Sequence, residues 1–133
     1  MCNCNCSFNC TLAAIVSSVI VGVVAAFLQV LGIITVGVTF LWVALGVGLV
    51  FLAVLVAVSA ANRDVDRPVC LCKILNTLLI AVLGTILVSL VLLAVGIVAT
   101  SVLSAILVGA LLFFLWLTLT ASACFVRCLA DCA

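Results

Sequence analysis

Polar and charged positions occupy three short stretches of this chain, and everything between them is apolar. All nine cysteines and all seven charged side chains fall within residues 1–10, 62–73 and 124–133. The intervening blocks, Thr11–Ala61 and Ile74–Ala123, carry neither. Each block is about fifty residues long, which as one helix would extend ~75 Å against a hydrocarbon core of ~30 Å. Each block must therefore fold back on itself. The pattern predicts an all-α membrane protein: four transmembrane helices arranged as two tandem helical hairpins, with both termini on the same side. The divisions are a cysteine-rich N-terminal segment (1–11), a first transmembrane hairpin (12–61), a charged loop (62–73), a second transmembrane hairpin (74–123) and a cysteine-rich tail (124–133). The apolar/polar alternation that a membrane β-barrel requires is absent.

The first block breaks at Gly32-Ile33-Ile34-Thr35-Val36-Gly37 and the second at Gly96-Ile97-Val98-Ala99-Thr100-Ser101. These hexads align at an offset of 64 residues, as a degenerate tandem repeat of one hairpin would. The predicted spans are Leu12–Leu31, Thr39–Ala60, Leu75–Val98 and Val102–Ala123, lengths that cross the core with modest tilt.

Composition removes the soluble classes. Charged residues make up 5% and hydrophobic residues 71%, with a mean hydropathy of +1.84, whereas soluble domains carry about 25% charged residues. A net charge of +1 leaves no basic field for nucleic acid. Met1–Cys10 has no Lys or Arg, and the apolar run after it is too long for a signal peptide, so Leu12 onward is expected to be a retained span. Arg63, Arg67 and Lys73 lie in the central loop and Arg127 in the tail, while the two outer turns have no cation. The positive-inside tendency then places the N-terminus, the loop and the C-terminus in the cytoplasm.

Small residues recur every fourth position. The stripes are Ala14, Ser18, Gly22 and Ala26; Thr77, Ala81, Thr85 and Ser89; and Ser101, Ala105 and Gly109. Such stripes let helix backbones approach closely where lipid provides no hydrophobic drive for association. They serve either a neighbouring span or a second copy, and self-association is expected.

Catalytic groups are scarce. The chain has no His, Tyr or Glu, and Asp64, Asp66 and Asp131 all lie outside the apolar blocks. No ionisable residue sits within a span, as a proton-coupled carrier would need, and no small-molecule substrate is identifiable. Gln29 and Asn76, near span ends, read as interface residues. An enzyme is not expected. Thiol chemistry remains, in Cys2, Cys4, Cys6 and Cys10, in Cys70 and Cys72, and in Cys124, Cys128 and Cys132. If the fourth span continues as a helix, the last three form one stripe. Three segments thus bring cysteines to one face, where they could hold zinc, Cu(I) or an iron–sulfur unit as thiolates. Alternatively they cross-link, within or between copies, or are acylated beside the membrane.

The tail Ala123-Cys124-Phe125-Val126-Arg127-Cys128-Leu129-Ala130-Asp131-Cys132, with the cysteine-rich start and Phe27-Leu28-Gln29, resembles small uncharacterised four-span membrane proteins of spore-forming Gram-positive bacteria. The resemblance implies an inner-membrane, sporulation-linked setting and no particular activity. The functional expectation is a structural or assembly scaffold with a thiol-rich cytoplasmic face; the alternative is a thiolate metal-binding or redox-sensing membrane protein.

Overall fold

The computed structural model describes residues 4–61, 69–95 and 102–132. These form four α-helices: α1 (Cys4–Val30), α2 (Val38–Ala61), α3 (Val69–Val95) and α4 (Val102–Cys132). All four are long and apolar enough to cross a membrane, and the chain is a multi-pass membrane protein. At ~1.5 Å per residue, α4 is longer than the ~30 Å core requires, so its last turns rise beyond the hydrocarbon.

The cysteine-bearing segments are helical where they are described. α1 begins at Cys4, and α3 begins at Val69, four residues before the end of the expected 62–73 loop. Pro68 immediately precedes α3 in the sequence. Proline is favoured at a helix start, since its fixed φ suits the first turn and no N–H is wasted there. Cys70 and Cys72 therefore stand on α3, not in a loop. Arg63, Arg67 and the second outer hexad, including Ser101, lie outside the described residues.

The first outer turn is built by glycine. Gly32 takes φ +70°, and its N–H donates to the Gln29 carbonyl (3.1 Å) while that of Ile33 donates to the Leu28 carbonyl (3.1 Å). This is a Schellman closure, which needs a left-handed residue at its centre. Gly37 then starts α2, its carbonyl accepting from Phe40 N–H at 3.0 Å.

The helices are ordered α1–α4–α3–α2. α1 packs along α4, α4 on α3, and α3 on α2, while α1 brushes α3. α1 and α2 are consecutive in the chain but share no packed face. α2 begins at Val38 and α4 at Val102, 64 residues on, yet only the second hairpin is closed. Gly84 lets α3 receive the Phe114 ring, since a Cβ there would come within 2.5 Å of its Cδ1. The positions 64 residues earlier, in the first hairpin, are Ile20 and Val50, 59% and 64% exposed. A branched side chain replaces the glycine hole, and the phenyl ring that would fill it is missing.

Three buried clusters hold the layer together. Leu41, Ala44, Leu92, Val108 and Leu111 lie toward the outer end. Leu55, Leu78, Val82 and Ala121 join α2, α3 and α4 toward the other end. Ala14, Ala81 and Leu117 join α1, α3 and α4.

The α1–α4 seam depends on reciprocal glycines. A Cβ on Gly22 would lie 3.0 Å from the Gly109 carbonyl oxygen, and one on Gly109 would lie 2.8 Å from that of Gly22. Backbone cannot give way as a flexible side chain can. Gly109→Ala should therefore lower stability by about 1–3 kcal/mol, the usual range for overpacking. Gly46→Ala, where nothing lies within 4 Å, should be neutral or stabilising. Denaturant unfolding in mixed micelles compares the two, and equal effects would show that the seam is not close-packed.

Candidate functional site

The end of the bundle where α1 begins and α4 finishes gathers the described polar chemistry. Cys10 of α1 and Cys124 of α4 are joined by a disulfide, with Cα atoms 6.0 Å apart across 114 residues of sequence. Lys73 at the start of α3 and Arg127 on α4, both exposed, stand at the same end. The uncharged 31–37 turn is at the other. The disulfide fixes the two chain ends on one side of the layer, as two successive hairpins require.

Seven residues along α1 from Cys10, the Trp116 indole Nε1 of α4 donates to Ser17 Oγ at 3.3 Å. Ser17 in turn donates to the Ala14 carbonyl (3.0 Å). The tryptophan ring is thus tied across the seam by its polar edge, while its body remains 42% exposed. Between the disulfide and this bond lies an open groove of about 470 Å³, lined by Ala13, Ser17, Thr120, Ala123 and Arg127 with both bonded cysteines. Its walls are mostly small and apolar, with the Arg127 guanidinium as the one charged group.

The remaining cysteines divide by what is described. Cys128 is buried and carries a free thiol. Cys2 and the side chains of Cys4, Cys6, Cys70, Cys72 and Cys132 lie outside the described residues. Among the described residues, no three His, Cys, Asp or Glu side chains form a group able to hold a metal ion. In the disulfide form, Cys10 and Cys124 are not thiolate donors, because each sulfur's bonding electron is committed to its partner.

The small-residue stripes are turned inward. Ala14, Ser18 and Gly22 are buried and Ala26 is half-buried; Ala81, Thr85 and Ser89 are buried and Thr77 is half-buried; Ala105 and Gly109 are buried. Gly22 and Ala26 meet Gly109 across α1–α4. Ser18 and Thr85 return their hydroxyl protons to the carbonyls of Ala14 (2.6 Å) and Ala81 (2.9 Å). These helices therefore use their small faces within one chain. Gln29 is buried with Oε1 unpaired, as is Ser89 Oγ, whereas Asn76 is exposed.

The residue pattern did not single out the Cys10–Cys124 pair, the Ser17–Trp116 bond or the Gly84 hole. A partial signal exists: the residue numbers of contacts across an antiparallel seam sum to a nearly constant value. Reading it requires knowing that α1 packs on α4.

No family model, curated protein or solved structure matches this chain.

Reduction tests the role of the disulfide. Closing a loop of about a hundred residues contributes at most about 4–5 kcal/mol on the chain-entropy account; helices that persist in the micelle-unfolded state make the effect smaller. Dithiothreitol should lower the unfolding midpoint of the wild-type protein. Cys10→Ser and Cys124→Ser should each match the reduced protein, and the double variant should be no worse than either. Additive losses would show that the two sulfurs act separately.

Proposed function

We propose that this protein is a structural scaffold of the membrane, a thin helical layer that associates with further copies through α2 and presents a thiol-rich cap to one side. The observation that carries this reading is the one-sided packing of α2. Leu41, Ala44, Gly48 and Leu55 of α2 are buried, and the clusters they enter face α3 and α4. The opposite face presents Gly46, Val50, Ala53 and Ala57, all exposed. Positions 46, 50, 53 and 57 share one helical face. It combines small residues with a branched one, the kind of surface by which membrane helices approach closely.

The interior supports a scaffold over a carrier. Buried polar groups on the described spans are hydroxyls, one amide and the Cys128 thiol at the cap end of α4, and none is a carboxylate or a cation. The distribution of Arg63, Arg67, Lys73 and Arg127 supports a cytoplasmic cap, and the resemblance to proteins of Gram-positive bacteria supports an inner-membrane location. A reducing cytosol opposes disulfides, so on that face the state of Cys10–Cys124 follows the local redox balance.

Association is measured by energy transfer between donor- and acceptor-labelled copies in liposomes at rising protein-to-lipid ratio. Transfer should exceed the random-proximity level. Gly46→Ile should weaken it roughly tenfold or more, the equivalent of about 1.4 kcal/mol, without loss of folding, since the position is open. Transfer at the random level for wild type would remove the self-association.

Orientation is tested separately. In intact cells, Thr35→Cys should add labelling by a membrane-impermeant maleimide over the wild-type background, and Lys73→Cys should add none until the membrane is opened. The reverse pattern would place the cap outside.

A further inference from the structure

The groove beside the disulfide is open, and its walls select what fills it. Its hydroxyls are already bonded. Ser17 Oγ donates to the Ala14 carbonyl at 3.0 Å and accepts from the Trp116 indole, while Thr120 Oγ1 donates to the Trp116 carbonyl at 2.8 Å. Ala13 and Ala123 add only methyl groups. A second hollow of about 500 Å³ adjoins the first, sharing Ala123 and Arg127 and taking in Ser122, Val126 and Ala130 of α4. Ser122 likewise donates to its own helix, at the Leu119 carbonyl (2.8 Å). Both hollows are therefore apolar surfaces, and the exposed guanidinium of Arg127 lines each of them.

Depth decides the kind of occupant. A hydrocarbon core of ~30 Å takes ~20 residues of helix, so a count from Val102, the start of α4, reaches the cap-side edge near Ser122. Ser17, bonded to Trp116, then lies inside the hydrocarbon. Arg127 stands ~8 Å beyond the edge, in the headgroup layer. Water finds no partner on apolar walls, so an acyl chain fills the groove. What remains to be selected is the head that the chain carries. A guanidinium presents five N–H donors in a planar fork that matches phosphate. Among the described side chains lining either hollow none is an acid, so nothing there repels an anionic head.

We propose that the α1–α4 groove binds an anionic phospholipid, its acyl chain lying along Ala13 and Ala123 toward Trp116 and its phosphate on Arg127. Charge complementarity and depth choose this occupant together. A soluble anion meets the guanidinium but leaves the groove unfilled. A zwitterionic lipid fills the groove but brings its own cation to Arg127. An anionic lipid uses both features. α2 shares no packed face with α1, so this inference is independent of association through α2.

Trp116 reports on the groove, because its indole is bonded to a lining residue. The Trp42→Phe protein keeps Trp116 as its one tryptophan. It is reconstituted without reductant, at low protein density, into phosphatidylcholine vesicles that contain rising fractions of chain-brominated phosphatidylglycerol or, separately, chain-brominated phosphatidylcholine. Quenching then gives the relative association of the two lipids beside Trp116. The expected preference for phosphatidylglycerol is roughly fivefold, the scale of one cation near an anionic surface, and Arg127→Gln should bring it close to one. Ala123→Leu, at an exposed position shared by both hollows, fills the groove and leaves the charge; it should also abolish the preference. Asp131 follows Arg127 by four residues, a spacing at which a carboxylate competes for a guanidinium, so Asp131→Asn should hold or raise the ratio. Equal quenching by the two lipids before any of these three changes would overturn the proposal, as would a fall in Asp131→Asn. A preference that survives Arg127→Gln would also do so. Survival in Ala123→Leu would show attraction to the surface without a seated chain, and would overturn it too.

Discussion

Close backbone approach is the constraint on which this protein depends. Lipid tails are as apolar as leucine, so burying Val and Leu against a neighbouring helix gains little over leaving them in the bilayer, and association rests on packing, hydrogen bonds and lipid entropy. What separates a real seam from a chance encounter is how near two backbones can come. Gly22 and Gly109 set that distance for α1 and α4, each occupying the space that a side chain on the other would need. The buried hydroxyls follow from the same requirement. Ser18 and Thr85 are small enough for the seam and satisfy themselves on carbonyls one turn back, so they add bulk without an unpaired donor.

This criterion explains why chain order and packing order differ. A short turn obliges α1 and α2 to run antiparallel, but it does not oblige them to touch. Gly84 and Phe114 make a hole and a plug where α3 meets α4, while Ile20 and Val50, 64 residues earlier, both face outward. The two hairpins match at this offset in three pairs of helix boundaries to within a residue, α4 running seven residues further than α2, and they differ in the side chains that would zip them. Two hairpins can thus share a topology while one lacks the internal contact of the other, freeing its helices for other partners. α1 takes α4 as its partner, and the disulfide lies at the end of that seam.

The features legible in the residues were those that depend on long stretches. Four membrane helices, their approximate bounds and the gathering of both ends on one side all follow from apolar runs too long to cross once. The Gly32–Gly37 turn was legible because a left-handed closure needs glycine. The pairing of helices was not legible, because Ala, Gly, Ser and Thr are frequent throughout and a stripe every fourth residue does not say which neighbour it meets. The edge of the cap is hard to read for a related reason: charge and cysteine mark the 62–73 segment as a loop, whereas α3 begins at Val69, directly after Pro68. The site suffered most, since the partner of Cys10 lies 114 residues away and depends entirely on which helices pack.

Carrying helix through the cap changes what its cysteines can do. In a flexible loop, Cys-x-Cys thiols would be adjacent and free to converge on one ion. On a helix, residues two apart are set ~200° apart around the axis, so a Cys-x-Cys pair loses that freedom to converge. A spacing of four keeps residues on one face, and that is the spacing that relates Cys124 to Cys128. Helical geometry therefore sorts the thiols by face before any chemistry begins. It favours bonds between helices over clusters within a segment, and ties cap chemistry to the packing of the layer beneath.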